Sequence, residues 1–212
     1  MPKLQSVLVI ALLPALLSAC AAATQQVPAA PAEAQHHAGH GGMTTAITVP
    51  PGAIWTAADV HFMQGMIAHH AQAIHMTRLA EGSGASPQVL RFAQKIDQSQ
   101  ITEIVLMQNW LDDRDQVVPD TSSWRTMTMP GMLTETELGQ LASARGSDFD
   151  RLFLELMIRH HEGALQMVDD LHATPRAAQE VDVSVLATEV RLVQTAEIDA
   201  MRLMLADTPG VR

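Results

Sequence analysis

Tyrosine is absent from this chain of 212 residues, cysteine occurs once, and aromatic rings make up only 3% of it. With a single thiol, Cys20, no intramolecular disulfide can form. So few rings, so scattered, provide no row of platforms for stacking bases. Basic residues are also scarce: 13 Lys and Arg stand against 23 Asp and Glu, a formal net charge of -10. Nothing neutralises phosphates, which argues against a nucleic-acid partner. There is no glycine-rich phosphate loop and no spacing that suggests a nucleophile with its base. Without aromatics, the 47% hydrophobic content rests on Leu, Ala, Val, Ile and Met, which suits helices better than sheets.

The one long apolar run, Val7 to Leu17, is too short to span a bilayer as a mature helix. It follows Lys3 and ends in "LSAC", Leu17 to Cys20, the pattern of a bacterial lipoprotein signal. Residues 1–19 therefore read as a signal peptide, and Cys20 as the lipidated first residue of the mature chain. The protein would sit in the cell envelope, facing the periplasm or the cell surface, anchored to a membrane and not spanning it. The plainer alternative is a secretory signal that happens to contain a cysteine. Residues 20–52 are rich in Ala, Pro, Gln, His and Gly, the composition of a flexible tether. They carry His36, His37, His40 and Met43, either an auxiliary metal site or the incidental histidines of a solvated linker.

From residue 53 to about 208 the pattern is helical. Thr56-Ala-Ala-Asp59 is a capping box opening a helix from about 57 to 80. Ser86-Pro87 opens a second, to about 111. A long connection, 112–133, precedes a short helix capped by Thr134 and Glu137 that stops near Gly146. Ser147-Asp148 opens a third long helix, about 148–171, and a fourth runs over about 182–206.

These helices repeat. "MIAHHAQAIHM" begins at Met66 and "MIRHHEGALQM" at Met157. Around them Asp59, Phe62, Met66, Ile67, His69, His70, Ala73 and Met76 match Asp150, Phe153, Met157, Ile158, His160, His161, Ala164 and Met167. On the partner helices Gln100, Glu103, Ile104 and Met107 match Gln194, Glu197, Ile198 and Met201. Two copies of one helical hairpin, 57–111 and 148–206, predict an all-α, pseudo-symmetric four-helix bundle in which each hairpin covers the apolar stripe of the other.

At 3.6 residues per turn His69 and His160 fall within the apolar stripes and should point inward. His70 and His161, turned by about 100°, should lie near the stripe edges. Gln100, Glu103, Gln194 and Glu197 are inward on otherwise apolar stripes. Buried imidazoles and carboxylates each need partners. One solution is a metal-free His–Glu hydrogen-bond network. The other is a metal held by imidazoles that the carboxylates orient. Thirteen methionines bias the choice of metal, because thioether sulfur selects Cu(I) or Ag(I) over hard cations. Any one helical Met is first of all core filler. The loop cluster Met127, Met129 and Met132 has no core stripe to explain it.

The two frames together resemble the bacterial domain of unknown function 305 over residues 57–206, with "MPGMLT" (129–134) and "FDRLFLELMIRHHEGA" (149–164) as close matches. The resemblance implies a ferritin-like four-helix fold in exported or lipid-anchored proteins, some of which bind copper or silver through Met and His in metal resistance. It places metal ligands on Met66, His69, His70, Met76, Met157, His160, His161 and Met167, with His61 and His75 in the first frame where the second has Leu152 and Gln166. Three functions stand open. The chain is a non-enzymatic soft-metal binder, a metal-free envelope bundle acting through a protein partner, or a di-iron oxidoreductase. The last would require Glu-x-x-His on two helices, and the one such motif, Glu33 to His36, lies in the tether.

Overall fold

The computed structural model describes residues 47–207, so the signal segment, Cys20 and the His36–Met43 tract lie outside the described residues. Five α-helices follow in order: α1 (Ala57–Arg78), α2 (Pro87–Asp112), α3 (Glu135–Ser143), α4 (Gly146–Ala173) and α5 (Val181–Asp207). A 3-10 turn, Ser123–Arg125, interrupts the long connection after α2. The described part is the all-α bundle that the repeat predicts.

Local chemistry starts each helix. Thr56 and Asp59 form a reciprocal capping box on α1, as do Thr134 and Glu137 on α3. Ser86 accepts from the Val89 N–H on α2, with Pro87 in the first turn. The start of α4 differs from expectation. Ser147 does not cap it; the helix begins at Gly146, preceded by Arg145 with no side-chain cap. The Gly146 N–H instead donates to Ser83 O in the turn of the first hairpin, at 2.9 Å. A tertiary contact thus satisfies a donor of the first turn, while the Asp148 and Phe149 N–H groups donate to Arg145 O.

The frame aspartates tie the hairpins together reciprocally. Asp59, near the start of α1, accepts at 2.7 Å from the Ala178 N–H in the α4–α5 turn. Asp150, near the start of α4, accepts from the Ser86 N–H in the α1–α2 turn at 3.1 and 3.2 Å. Each hairpin caps the turn of the other, which requires α1 and α4 to run antiparallel. Ala178 holds a positive φ of 53° at this bond. A carboxylate on a backbone N–H is worth more than a neutral hydrogen bond, which helps hold that turn.

The core runs between the hairpins and includes Met63, Met66, Ile67, Ile96, Met107, Phe149, Phe153, Leu154 and Met157, all buried. Helix α1 is enclosed on nearly every side, with His61 and Arg78 its only exposed residues. The central connection covers the side that a bundle helix normally leaves to solvent. Gln64 donates to Val117 O at 2.8 Å. Gln72 donates to Leu133 O at 3.0 Å and accepts from the Leu133 N–H at 2.7 Å. Ile47, within the stretch read as tether, already packs against the core.

Candidate metal centre

The four frame histidines meet in the middle of the bundle. The His69 and His160 rings lie 3.9 Å apart between centroids, tilted by 40°. Sequence-equivalent side chains in contact must flank the pseudo-two-fold axis, so this pair marks it. His70 and His161 are not at stripe edges as expected: neither is exposed at all. Each faces the partner helix of its own hairpin. His70 Nε2 is 2.5 Å from Glu103 Oε2, and His161 Nε2 is 2.9 Å from Glu197 Oε2. A buried stripe that is wider than one row of residues accounts for this, because α1 and α4 each bury neighbours on two sides.

Acceptors fix the tautomers. A carbonyl or a carboxylate can only accept, so the nitrogen facing it carries the proton. His69 donates from Nε2 to Pro130 O at 3.0 Å. His70 and His161 donate from Nε2 to their glutamates. In all three rings Nδ1 is left buried and without a hydrogen-bond partner. His160 differs, because its buried Nε2 has no partner. Nearby, Gln100 Oε1 and both ends of the Gln194 amide are also buried without partners, as is Glu197 Oε1. Buried polar atoms are rarely left so, and water, a ligand or an ion can satisfy such a group.

The rings are poised as ligands and not as cations. Burial, followed by the neighbouring His70 ring, lowers His69 to about 3, although its bond to Pro130 works the other way. Burial and then the His69 ring hold His160 well below the usual imidazole range. Both therefore stay neutral at physiological pH, with lone pairs available to a metal.

The central connection completes one side. Gly131, at a positive φ of 75°, lies directly against α4 at Gly163. A Cβ on Gly163 would sit 2.1 Å from Pro130 O, so only a glycine admits the loop here. This contact presents the Pro130 carbonyl to His69. Nothing in the sequence reading singled out Pro130, Gly131, Gly163 or Gln72 for this. Gly163 stands at the position of Gln72 in the second frame, and that mismatch was the available signal.

The methionines divide. Met66, Met76 and Met157 are fully buried, as are Met107 and Met201 on the partner helices. Met129 is buried, while Met127, Met132 and Met167 are partly exposed. Met132 lines an open groove of about 460 Å³ outside the loop with Glu137, Arg159, Glu162 and Gln166. The Arg159 bond holds Glu137 down at about 2. His75, where the second frame has Gln166, stacks on Trp124 at 5.1 Å and stays apart from the central four. Among the described residues no three His, Cys, Asp or Glu side chains converge as a metal site. A metal here would need sulfur as well as nitrogen.

A family model described as "Domain of unknown function (DUF305)" matches residues 59–205. Similar solved structures include a DUF305 protein from Streptomyces coelicolor, described as secreted. It is 28% identical with a TM-score of 0.64, over 71% of this chain and 93% of that one. A DUF305 fragment from Deinococcus radiodurans is 29% identical with a TM-score of 0.61, over 72% of this chain and 98% of that one. CopM in the Cu(I)-bound form is 28% identical with a TM-score of 0.58, over 74% of this chain and 99% of that one. CopM is also known in Ag-bound and Cu(II)-bound forms. No curated protein matches the chain.

Proposed function

The chain belongs to the DUF305 family, and on that footing we propose that it is a non-enzymatic cell-envelope protein that binds soft metal ions, Cu(I) or Ag(I), for sequestration or metal resistance. The observation that carries this reading is the His69–His160 pair. It is buried, neutral and in contact at the bundle axis, with His69 Nδ1 and His160 Nε2 unpartnered. Methionine is the other abundant donor around it, and nitrogen with thioether sulfur suits a soft cation. The copper and silver forms of CopM support the choice of metal. His70 and His161 serve differently: bonded to Glu103 and Glu197, they pin each hairpin together beside the metal pair.

Extracytoplasmic placement rests on the apolar segment of residues 7–17 and on the relative described as secreted. Cys20 would carry the lipid that anchors the chain. A Cys20→Ser variant should leave the membrane fraction; retention there would point to another anchor. Metal binding is tested by anaerobic Cu(I) competition against a chromogenic chelator with the full chain. Tight binding should survive replacement of His36, His37 and His40 by Ala and fall at least tenfold in His69→Ala/His160→Ala. Loss with the tether histidines alone would make them the site. No binding in any form would favour a bundle that acts through a protein partner, with the His–Glu pairs as its structural network.

A further inference from the structure

Helix α5 is apolar on two sides. Val183, Leu186, Val190 and Met201 are buried in the core. Val181, Val185, Leu192 and Leu203 follow a second stripe and are 72%, 49%, 65% and 70% exposed. A helix that is apolar all round belongs in an interior, so this stripe lacks a cover. Of the ten large apolar side chains exposed among the described residues, seven are on α2 and α5, and none is on α1, α3 or α4. Helix α2 supplies charge beside the stripe. Its exposed charges are two bases near the start, Arg91 and Lys95, and two acids at and just after the end, Asp112 and Asp113. Among the described residues none of these four has an ion-pair partner. The two helices are aligned at both ends. Arg91, Phe92 and Lys95 share an open groove of about 450 Å³ with Leu203, Met204 and Asp207. At the other end Trp110 Nε1 donates to Glu180 at 2.8 Å, and Arg114 pairs with the same carboxylate. Helices α2 and α5 therefore run antiparallel, which sets Leu192 level with the middle of α2, near Thr102. Thr102 also stands midway between the two bases and the two acids.

We propose that the α2–α5 face binds a second copy of this chain, α5 antiparallel on α5 and α2 antiparallel on α2, about a two-fold axis at Leu192. A two-fold interface must be self-complementary, and this one is. Leu192 meets Leu192 of the second copy, and Val181 meets Leu203, which lies equally far beyond the axis. Asp182 faces Arg202 by the same rule. On α2 the axis brings Arg91 and Lys95 opposite Asp112 and Asp113 of the second copy, so each copy supplies the missing ion-pair partners of the other. Helices of 26 and 27 residues side by side are about 40 Å long and about 20 Å wide. That footprint of about 800 Å² per copy matches a standard interface. An anionic bilayer fits less well, because the exposed acids Asp182, Glu189 and Asp199 flank the stripe.

The test is cross-linking of the full chain with a short bismaleimide. Cys20→Ser removes the one native thiol, and a single cysteine is then placed on the stripe, where exposed substitutions leave the fold intact. Leu192→Cys should link to itself. Leu203→Cys and Val181→Cys should each link poorly alone and well when the two chains are mixed. Equal linking of all three alone, or none at Leu192→Cys, would overturn the pairing. Sedimentation of the chain without cysteine substitutions on the stripe gives the second readout. Lys95→Glu should weaken self-association at least tenfold, and Asp113→Lys added to it should restore the affinity. A chain that stays monomeric, but binds phosphatidylglycerol vesicles in a way that Leu192→Glu abolishes, would overturn the proposal and assign the face to a membrane.

Discussion

Helices α1 and α4 carry the same frame, yet one is nearly enclosed and the other keeps a solvent face. Leu133, Val117 and Pro130 bond to Gln72, Gln64 and His69 of α1. The matching positions of α4 are Gly163, Glu155 and His160. Glu155 is exposed and paired with Arg151, Gly163 is bare, and His160 Nε2 has no partner. A two-fold repeat has only one central connection, so only one copy can be covered by it. The first copy acquired amides that hold the loop, and the second a glycine that lets the loop approach. The asymmetry reaches the axis itself: of two touching imidazoles, one has its Nε2 capped by a carbonyl and the other does not.

The largest effect is expected of Gly163→Ala. A methyl there collides with Pro130 and Gly131 backbone atoms, and the expected cost is about 3 kcal/mol of stability in chemical denaturation. A cost below about 1 kcal/mol would mean that the loop is not seated as described.

Acid should act on both copies through the axial pair. Both rings are held neutral in the folded chain, whereas unfolded histidines take up protons below about 6.5. The unfolded chain then binds more protons, so this contribution is present above about pH 6.5 and is lost as pH falls toward 3. Two such rings should lower stability by about 2 kcal/mol between pH 6 and 5. Replacing His69 by Gln should halve that slope in urea melts, and an unchanged slope would show that the rings are not the source.

Next come the two His–Glu pairs. The Glu197 side chain is 1% exposed and that of Glu103 is 11% exposed. Glu197→Ala leaves the His161 N–H without water or partner and should cost about 2 kcal/mol. Glu103→Ala should cost about 1 kcal/mol, since the space vacated by the partly exposed Glu103 would admit water to the buried His70 N–H. Equal costs would erase that difference between the copies. The smallest effect belongs to the surface. Arg202→Ala removes an exposed pair with Glu162 and should change the midpoint by less than about 0.5 kcal/mol.

The helices, the repeat and the inward glutamates were legible in the sequence because 3.6-residue periodicity and capping boxes are local signals. The long connection was legible only as a methionine cluster. Its role depends on backbone atoms, the carbonyl of Pro130 and the amide of Leu133, which carry no residue-type signature. His70 and His161 were expected near a stripe edge because a wheel of one helix does not count its neighbours. α1 has a loop on the face that the wheel assigns to solvent. Met129 could be suspected from its loop, but not its packing against Gly65, which needs the tertiary fold.

The proposed function divides the labour: His69 and His160 would hold metal while His70 and His161 hold helices. Nitrogen-15 NMR of the histidine rings during Ag(I) titration of the full chain tests it most directly. His69 Nδ1 and His160 Nε2 should shift on saturation, while the Nε2–H groups of His70 and His161 keep their hydrogen-bonded positions. Shifts at His70 and His161 with His69 and His160 unchanged would contradict it.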